Sequence, residues 1–339
     1  MSSPAAALAA ALAKGKFESD TIKDHGCWLS TGVPNVDAAL SGKYRNGGFK
    51  SARVVELAGE ASTGKTLLAQ HVAKEAQKAG GAAIFLDHER SFMEHLFERF
   101  GGSIEPGAWS YKRPRSLEES LDNAVDWMQL IRQSDAVPFE APLVAIFDSA
   151  AMMVPLNQLD RDMSVARNMR DKLQQVQAFS QELPAFTQFC EENNILAIFL
   201  NQIRIDPSVT HGDNRKTPGG NALYHADAVK IYLGRSMDRE NKDDKSQVTG
   251  QTIRFETVKN KTFRPFQKTK FKFKFDDEGT GYIDVIETML IHLKDIGKLE
   301  MSGAYVVWEG KKKYISVLAQ EMNLNPEESM QKLLDVAEA

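Results

Sequence analysis

An α/β protein, with a mostly parallel sheet covered by helices on both faces, is predicted by three features of this sequence. First, Ala82-Ala83-Ile84-Phe85-Leu86-Asp87, Leu143-Val144-Ala145-Ile146-Phe147-Asp148 and Ile195-Leu196-Ala197-Ile198-Phe199-Leu200 are continuously apolar and of strand length. Half-solvated strands alternate in polarity, whereas strands buried on both faces do not. Second, helical spacing separates such runs, as in Ser116–Ile131 with Leu117, Leu121, Ala124, Val125, Met128 and Ile131. Third, Gly59-Glu60-Ala61-Ser62-Thr63-Gly64-Lys65-Thr66 completes a G-x-x-x-x-G-K-[ST] pattern between a strand and a helix.

The elements follow in order. Ala5–Lys14 is alanine-rich and reads as a short helix that needs a surface to pack on. Asn35–Leu40 is a second short helix with Asn35 as its N-cap, and Gly42–Gly48 is a turn. Arg53–Ala58 is a strand, and Thr66–Gln77 the helix after the glycine loop. Ser116-Leu117-Glu118-Glu119 has the form of a capping box. The polar segment from Ile203 to Asn221 is long enough to be a functional loop. Beyond it come strands at Val229–Leu233 and Thr252–Val258, with the charged stretch Arg235–Ser246 between them as a hairpin loop. Phe271-Lys272-Phe273-Lys274-Phe275 alternates, which predicts a half-buried strand with outward lysines. Residues 285–339 form a small α-rich module with a hairpin near Tyr305–Tyr314.

Composition narrows the function classes. The 339 residues are 42% hydrophobic and 26% charged, ordinary for a soluble globular chain of one large and one smaller domain. A net charge of −4 argues against wholesale non-specific nucleic-acid binding, though not against a local basic surface. Cys27 and Cys190 are far apart and match no ligand spacing, so they read as buried thiols in a reducing compartment. No run approaches the ~20 apolar residues of a membrane span.

The chemistry gathers at the predicted strand ends. Backbone amides of the glycine loop and the following helix N-terminus make an anion site; Lys65 reaches the β- and γ-phosphates and Thr66 ligates magnesium. Asp148 stands where such enzymes hold a magnesium-linked carboxylate, or else caps a turn. Glu89 orients or deprotonates an attacking water, or is simply exposed. Gln202 opens the long polar loop and is placed to sense the γ-phosphate.

The motif, together with Phe85-Leu86-Asp87-His88-Glu89, Phe147-Asp148-Ser149-Ala150-Ala151, Phe199-Leu200-Asn201-Gln202-Ile203-Arg204, Thr217-Pro218-Gly219-Gly220-Asn221-Ala222-Leu223 and Val258-Lys259-Asn260-Lys261, resembles the RecA family of homologous-recombination ATPases over about residues 30–275. A weaker similarity continues through Lys298-Leu299 and Ser302-Gly303-Ala304-Tyr305. The resemblance implies a P-loop RecA-like core at 33–282, an N-terminal oligomerisation helix and linker at 1–32, and a small α/β C-terminal domain at 283–339. It implies an ATP-dependent recombinase, a DNA-dependent ATPase that forms helical filaments on single-stranded DNA, pairs it with homologous duplex and exchanges strands. ATP and Mg2+ are the expected cofactors. Gly59, Glu60, Ala61, Ser62, Thr63, Gly64, Lys65, Thr66, Leu67 and Asp148 would hold them, with Thr66 and Asp148 on the metal.

By the same resemblance Glu89 is the catalytic carboxylate, Gln202 the γ-phosphate sensor, and Lys259 and Lys261 a pair that enters the ATP site of the adjacent subunit. Cations supplied in trans stabilise transition-state charge, an arginine finger by roughly 10³–10⁵ in rate. DNA contacts are expected from Arg161, Met163, Arg167 and Arg170, and from Arg204, His211, Arg215, Lys216, Gly219, Gly220 and Asn221. Expected partners are single-stranded and duplex DNA, further copies of the chain, and single-strand-binding and loading proteins; expected localisation is the cytoplasm of a bacterial cell or phage-infected host, with no membrane.

Three departures from the family pattern point to a divergent member, of bacterial or bacteriophage origin. Met93 and Leu96 stand near the register where an adenine-stacking aromatic is common, Pro155–Gln202 is long, and the chain reaches Ala339 without an acidic tail. Two other readings compete: a RecA-core helicase or motor, and an ATP-gated filament scaffold with little hydrolysis.

Overall fold

The computed structural model of the protein describes Lys14 and residues 26–134, 136–159, 169–206, 208, 213–239, 248–276 and 279–339. The expected N-terminal helix Ala5–Lys14, except Lys14, and residues 240–246 of the expected hairpin loop Arg235–Ser246 lie outside the described residues; residues 235–239 of that loop instead continue the strand that begins at Val229, a correction.

Two short strands, β1 (Trp28–Leu29) and β2 (Phe49–Lys50), pair around helix α1 (Pro34–Ser41). The N-cap of α1 is Val33 rather than Asn35, a correction that follows from Pro34, whose fixed φ suits the first helical turn. Asn35 lies inside the helix, buried, and its amide donates to Thr269 Oγ1 at 2.7 Å and to the Lys270 carbonyl at 2.9 Å. Gly42 ends the helix at φ 78°, a conformation glycine adopts without a Cβ penalty.

The core alternates strands and helices: β3 (Arg53–Gly59), α2 (Lys65–Lys78), β4 (Ala82–Asp87), α3 (Glu94–Arg99), β5 (Trp109–Lys112), α4 (Leu117–Gln133), β6 (Leu143–Asp148), α5 (Met169–Glu192) and β7 (Ile195–Gln202). A hairpin of β8 (Arg204–Ile205) and β9 (Arg215–Lys216) and helix α6 (Gly220–Ala226) lead to β10 (Val229–Arg239), β11 (Val248–Asn260), β12 (Lys268–Phe275) and β13 (Gly281–Asp284). Nine strands form one sheet in the order β13-β12-β11-β10-β3-β7-β6-β4-β5, parallel from β10 to β5 and antiparallel beyond. The continuously apolar strands are buried on both faces, as expected: Val144 and Ile146 pack on the α1–α2 side, Leu143, Ala145 and Phe147 on the α4–α5 side. Ser116 caps α4 by accepting from Glu119 N at 3.0 Å, but the Glu119 carboxylate takes the Arg115 amide instead of completing the box.

Strand β12 corrects the expectation of outward lysines. It is flanked by β11 and β13, and carboxylates on β13 and, across β11, on β10 draw the ammoniums in: Lys274 pairs with Asp284 and Lys272 with Asp238, each at 2.8 Å. Phe271 is buried, whereas Phe275 at the strand end is 37% exposed.

After β13 come α7 (Val285–Asp295), the small sheet β14 (Met301–Ser302), β15 (Tyr305–Trp308) and β16 (Lys311–Lys313), and helices α8 (Ile315–Met322) and α9 (Pro326–Glu338). They share a core around Met289, Leu290, Leu293, Val306, Leu318 and Leu333. Tyr44 packs on this core and its hydroxyl lies 2.8 Å from His292 Nε2. Arg45 pairs with Asp335 at 2.6 Å and with Glu338. Among the described residues no helix is long and apolar enough to cross a membrane, and both cysteines are free.

Candidate active site

Strand register builds the site. Gly59 pairs with Gln202, Ala58 with Asn201, and Asp87 with Asp148, so four strands end on one line at the mouth of the glycine loop. The amides of His88 and Glu89 donate to the Asp148 carbonyl at 2.6 and 3.1 Å, fastening the ends of β4 and β6 together. In the loop, Ser62 and Gly64 have φ of 58° and 78°, turning the chain into α2. A Cβ on Gly59 would lie 2.5 Å from Thr63 Oγ1, so this close approach requires glycine. Glu60, Ala61 and Ser62 are exposed, Thr63 is buried with its hydroxyl donating to the Glu60 carbonyl at 2.9 Å, and Leu67 anchors the helix in the core. The first amides of a helix lack intrahelical acceptors and are available to an anion.

Lys65 Nζ lies at this mouth, donating to the Gly59 and Glu60 carbonyls at 3.1 and 2.8 Å. Burial lowers its pKa, opposed by the nearby Asp148 and Glu89. Thr66 Oγ1 donates to Asp148 Oδ2 at 2.8 Å, and Ser149 Oγ donates to Glu89 Oε1 at 2.5 Å. Burial pushes the Asp148 carboxyl up to about 7; the Thr66 hydrogen bond opposes this, and Glu89 and Asp87 add to it. Asp87 points elsewhere, accepting from the Arg90 and Phe92 amides at 2.6 and 3.1 Å and from the Tyr111 hydroxyl at 2.9 Å. The arrangement thus gathers a cation, a hydroxyl and two carboxylates around one anion-binding turn.

A buried polar chain leads away from the site. Asn201 Nδ2 donates to Glu56 Oε1 at 2.8 Å and to the Pro218 carbonyl at 2.9 Å, while its Oδ1 accepts from the Gln202 amide at 2.9 Å. Glu56 Oε2 pairs with Lys230 at 2.6 Å, and Lys230 donates to Thr217 Oγ1 at 2.9 Å. Gln202 itself is exposed. Farther along, Lys259 pairs with Asp227 at 2.7 Å and donates to the Tyr224 carbonyl, whereas Lys261 is exposed.

The family model of the RecA N-terminal domain matches residues 16–280, most of the chain. The chain belongs to the RecA family. Protein RecA of Gluconobacter oxydans is 32% identical over 285 residues, covering 84% of this chain and 75% of that protein. Protein RecA of Rhodospirillum rubrum is 33% identical over 277 residues (82% and 69%), and that of Chloroherpeton thalassium 30% over 284 (84% and 72%). Family membership makes this an ATP-dependent recombinase and favours neither the motor nor the scaffold alternative; DNA-dependent ATP hydrolysis, DNA binding and filament formation come with it in general form.

Within this RecA-family chain the residues expected at DNA are placed unevenly. Arg161, Met163, Arg167 and His211 lie outside the described residues, and Arg170 is described only as part of α5. Arg204 is exposed on β8. Arg215 is held by Asp213 at 2.8 Å and Glu256 at 3.1 Å, with its guanidinium 4.1 Å from the Tyr232 ring centroid; Lys216 pairs with Asp206 at 2.5 Å. Gly219 and Gly220, at φ of 91° and 62°, turn the chain into α6, where Asn221 is exposed. Sequence reasoning missed Ser149, Glu56, Tyr224, Asp227 and Lys230. The signal that could have found the last was a lysine inside the apolar run Ala228-Val229-Lys230-Ile231.

Proposed function

We propose that the protein is a cytoplasmic recombinase whose filament forms on single-stranded DNA, with ATP held between adjoining protomers, and exchanges that strand with homologous duplex. In this reading Gly59–Thr66 cradles the phosphates and Lys65 neutralises them. Thr66 and Asp148 fit magnesium, because they present two hard oxygen donors side by side and the buried carboxylate is crowded by Glu89 and Asp87. No cluster of three or more ligating side chains exists among the described residues, which suits an ion that keeps phosphate and water ligands. When bound, magnesium supplies charge neutralisation to the phosphate oxygens.

This chain's own residues do the rest. Glu89, oriented by Ser149, accepts a proton from the attacking water. Gln202 senses the terminal phosphate, and Lys259 and Lys261 complete the neighbouring protomer's site. DNA is held by Arg161, Met163, Arg167 and Arg170 and by the segment carrying Arg204, His211, Arg215, Lys216, Gly219, Gly220 and Asn221.

The observation that carries this reading is Asn201. One side chain holds the amide of Gln202 beside the phosphate loop and the carbonyl of Pro218 at the base of the hairpin. Nucleotide state and hairpin position therefore share a rigid connection. The deciding measurement is joint-molecule formation between single-stranded and duplex DNA, with ATP turnover and electron microscopy alongside. Homology-dependent joint molecules and helical filaments are expected; closed translocating rings, or filaments without turnover, would overturn it.

A further inference from the structure

We propose that Asp227 is a positioning residue that parks the Lys259 ammonium within its own protomer, so that Lys259 reaches an adjoining protomer's nucleotide only by leaving this carboxylate. The inference rests on the trans role proposed above for Lys259. Its grounds are the pocket in which the ammonium lies. Asp227 is fully buried at the end of α6, with Oδ1 2.7 Å from Nζ, and the Lys259 side chain is 15% exposed. The Tyr224 carbonyl accepts from the same ammonium, which also sits 4.4 Å from the Tyr224 ring centroid. A lysine held by a carboxylate, a carbonyl and an aromatic ring is not presented to a neighbour. Delivering it exchanges the carboxylate for a phosphate oxygen.

That exchange leaves a buried carboxylate without its cation. Among the described residues the groups facing Asp227 are Lys259 of β11, Lys230 and Tyr232 of β10, Glu56 of β3 and Tyr224 of α6. Lys230 stays committed to Glu56 and Thr217, so it is no substitute. Burial already pushes the Asp227 carboxyl up to about 7 with Lys259 beside it; losing that cation pushes it further, and the carboxyl takes a proton from solvent. Release of Lys259 is thereby coupled to uptake of one proton. Acid favours release, and alkali keeps the lysine parked. Because Thr217, at the base of the hairpin, bonds to Lys230 beside the same Tyr224 ring, displacement of the hairpin reaches the charges around Asp227.

The test is DNA-free ATP turnover and nucleotide-dependent assembly of the full chain from pH 6 to pH 8.5. Wild type is expected to lose activity above neutrality, up to about tenfold per pH unit for one linked proton. Asp227→Asn should be about tenfold more active than wild type at pH 8 and nearly flat with pH, and Asp227→Glu should restore the wild-type slope. An Asp227→Asn profile that keeps the wild-type rate and slope overturns the proposal. Should Asp227→Asn not fold, calorimetry of wild-type assembly at pH 8.5, where the parked carboxyl is ionised, in two buffers of different ionisation enthalpy decides instead. About one proton taken up per protomer supports the proposal, and none overturns it. Lys259→Ala with unchanged turnover removes the trans reading itself; an inactive Lys259→Ala beside an Asp227→Asn like wild type at every pH removes only the role of Asp227.

Discussion

The Thr66 hydroxyl and the Asp148 carboxylate meet at 2.8 Å, joining residues 82 apart in the chain and pinning the first turn of α2 to the end of β6. The phosphate loop is therefore held in shape by the same pair proposed to hold the metal.

Lys65→Ala should abolish strand exchange and lower ATP turnover by about 10²–10³, the usual cost of removing one charge-stabilising donor. Thermal stability should change little, because Lys65 donates only to loop carbonyls. Turnover and joint-molecule assays check the first expectation, and a melting curve the second. Strand exchange at the wild-type level would refute the role.

Glu89→Gln keeps the shape of the side chain and removes the base. Turnover should fall by about 10²–10⁴, while binding of a fluorescent ATP analogue is retained. Ser149→Ala, which leaves the carboxylate but not its orienting hydroxyl, should have a smaller effect of the same kind.

The buried pair Glu56–Lys230, with side chains 0% and 6% exposed, makes a stability prediction. Glu56→Leu alone leaves an ammonium unpaired in the sheet and should cost about 3–5 kcal/mol. The double variant Glu56→Leu, Lys230→Met should recover most of that in urea denaturation. It should nevertheless lower DNA stimulation of turnover, since Asn201 keeps Pro218 and Gln202 but loses the Glu56 carboxylate that orients it, and Thr217 loses Lys230.

His71 contributes a pH dependence of definite sign. Burial, with Lys74 and Lys78 nearby, pushes its pKa down to about 3, and burial lowers His88 to about 4. The unfolded chain binds these protons below its ordinary value near 6.5 and the folded chain does not, so stability falls as pH drops from about 6.5 toward 3. His71→Leu should flatten that slope by up to about 1.4 kcal/mol per pH unit, leaving the part due to His88. A slope unchanged by the substitution would count against the buried neutral imidazole.

The apolar strands and the glycine loop were legible because each is a local pattern: continuous burial marks β4, β6 and β7, and a turn that needs Gly59 and Gly64 marks the loop. Asp148 and Glu89 could be placed from strand ends alone. Asn35 was misread because cap preference was weighed without the stronger demand of Pro34. The lysines of β12 were misread because alternation shows which residues share a face, not which carboxylates stand opposite. Helix α5 was legible in the helical spacing of Phe179, Leu183, Phe186 and Cys190 but was not read, whereas the Asn201–Glu56–Lys230 chain was missed for a related reason. The partners in that chain come from distant segments, and Glu56 inside a strand is ambiguous until its neighbour is known. The trans role proposed for Lys259 and Lys261 came from family resemblance, and the pairing of Lys259 with Asp227 was not legible at all.

Tyr44 and Arg45 have a consequence for synthesis on the ribosome. Tyr44 lies 248 positions before His292, and Arg45 lies 290 before Asp335, yet both complete the packing of the last helices. Closing so long a loop adds little entropy beyond a shorter one, but the partners are made only 248 and 290 residues later. The strands up to β13 can assemble while the chain is still emerging, whereas the segment around Tyr44 waits, with its aromatic ring uncovered, for the helices after β13 to leave the tunnel.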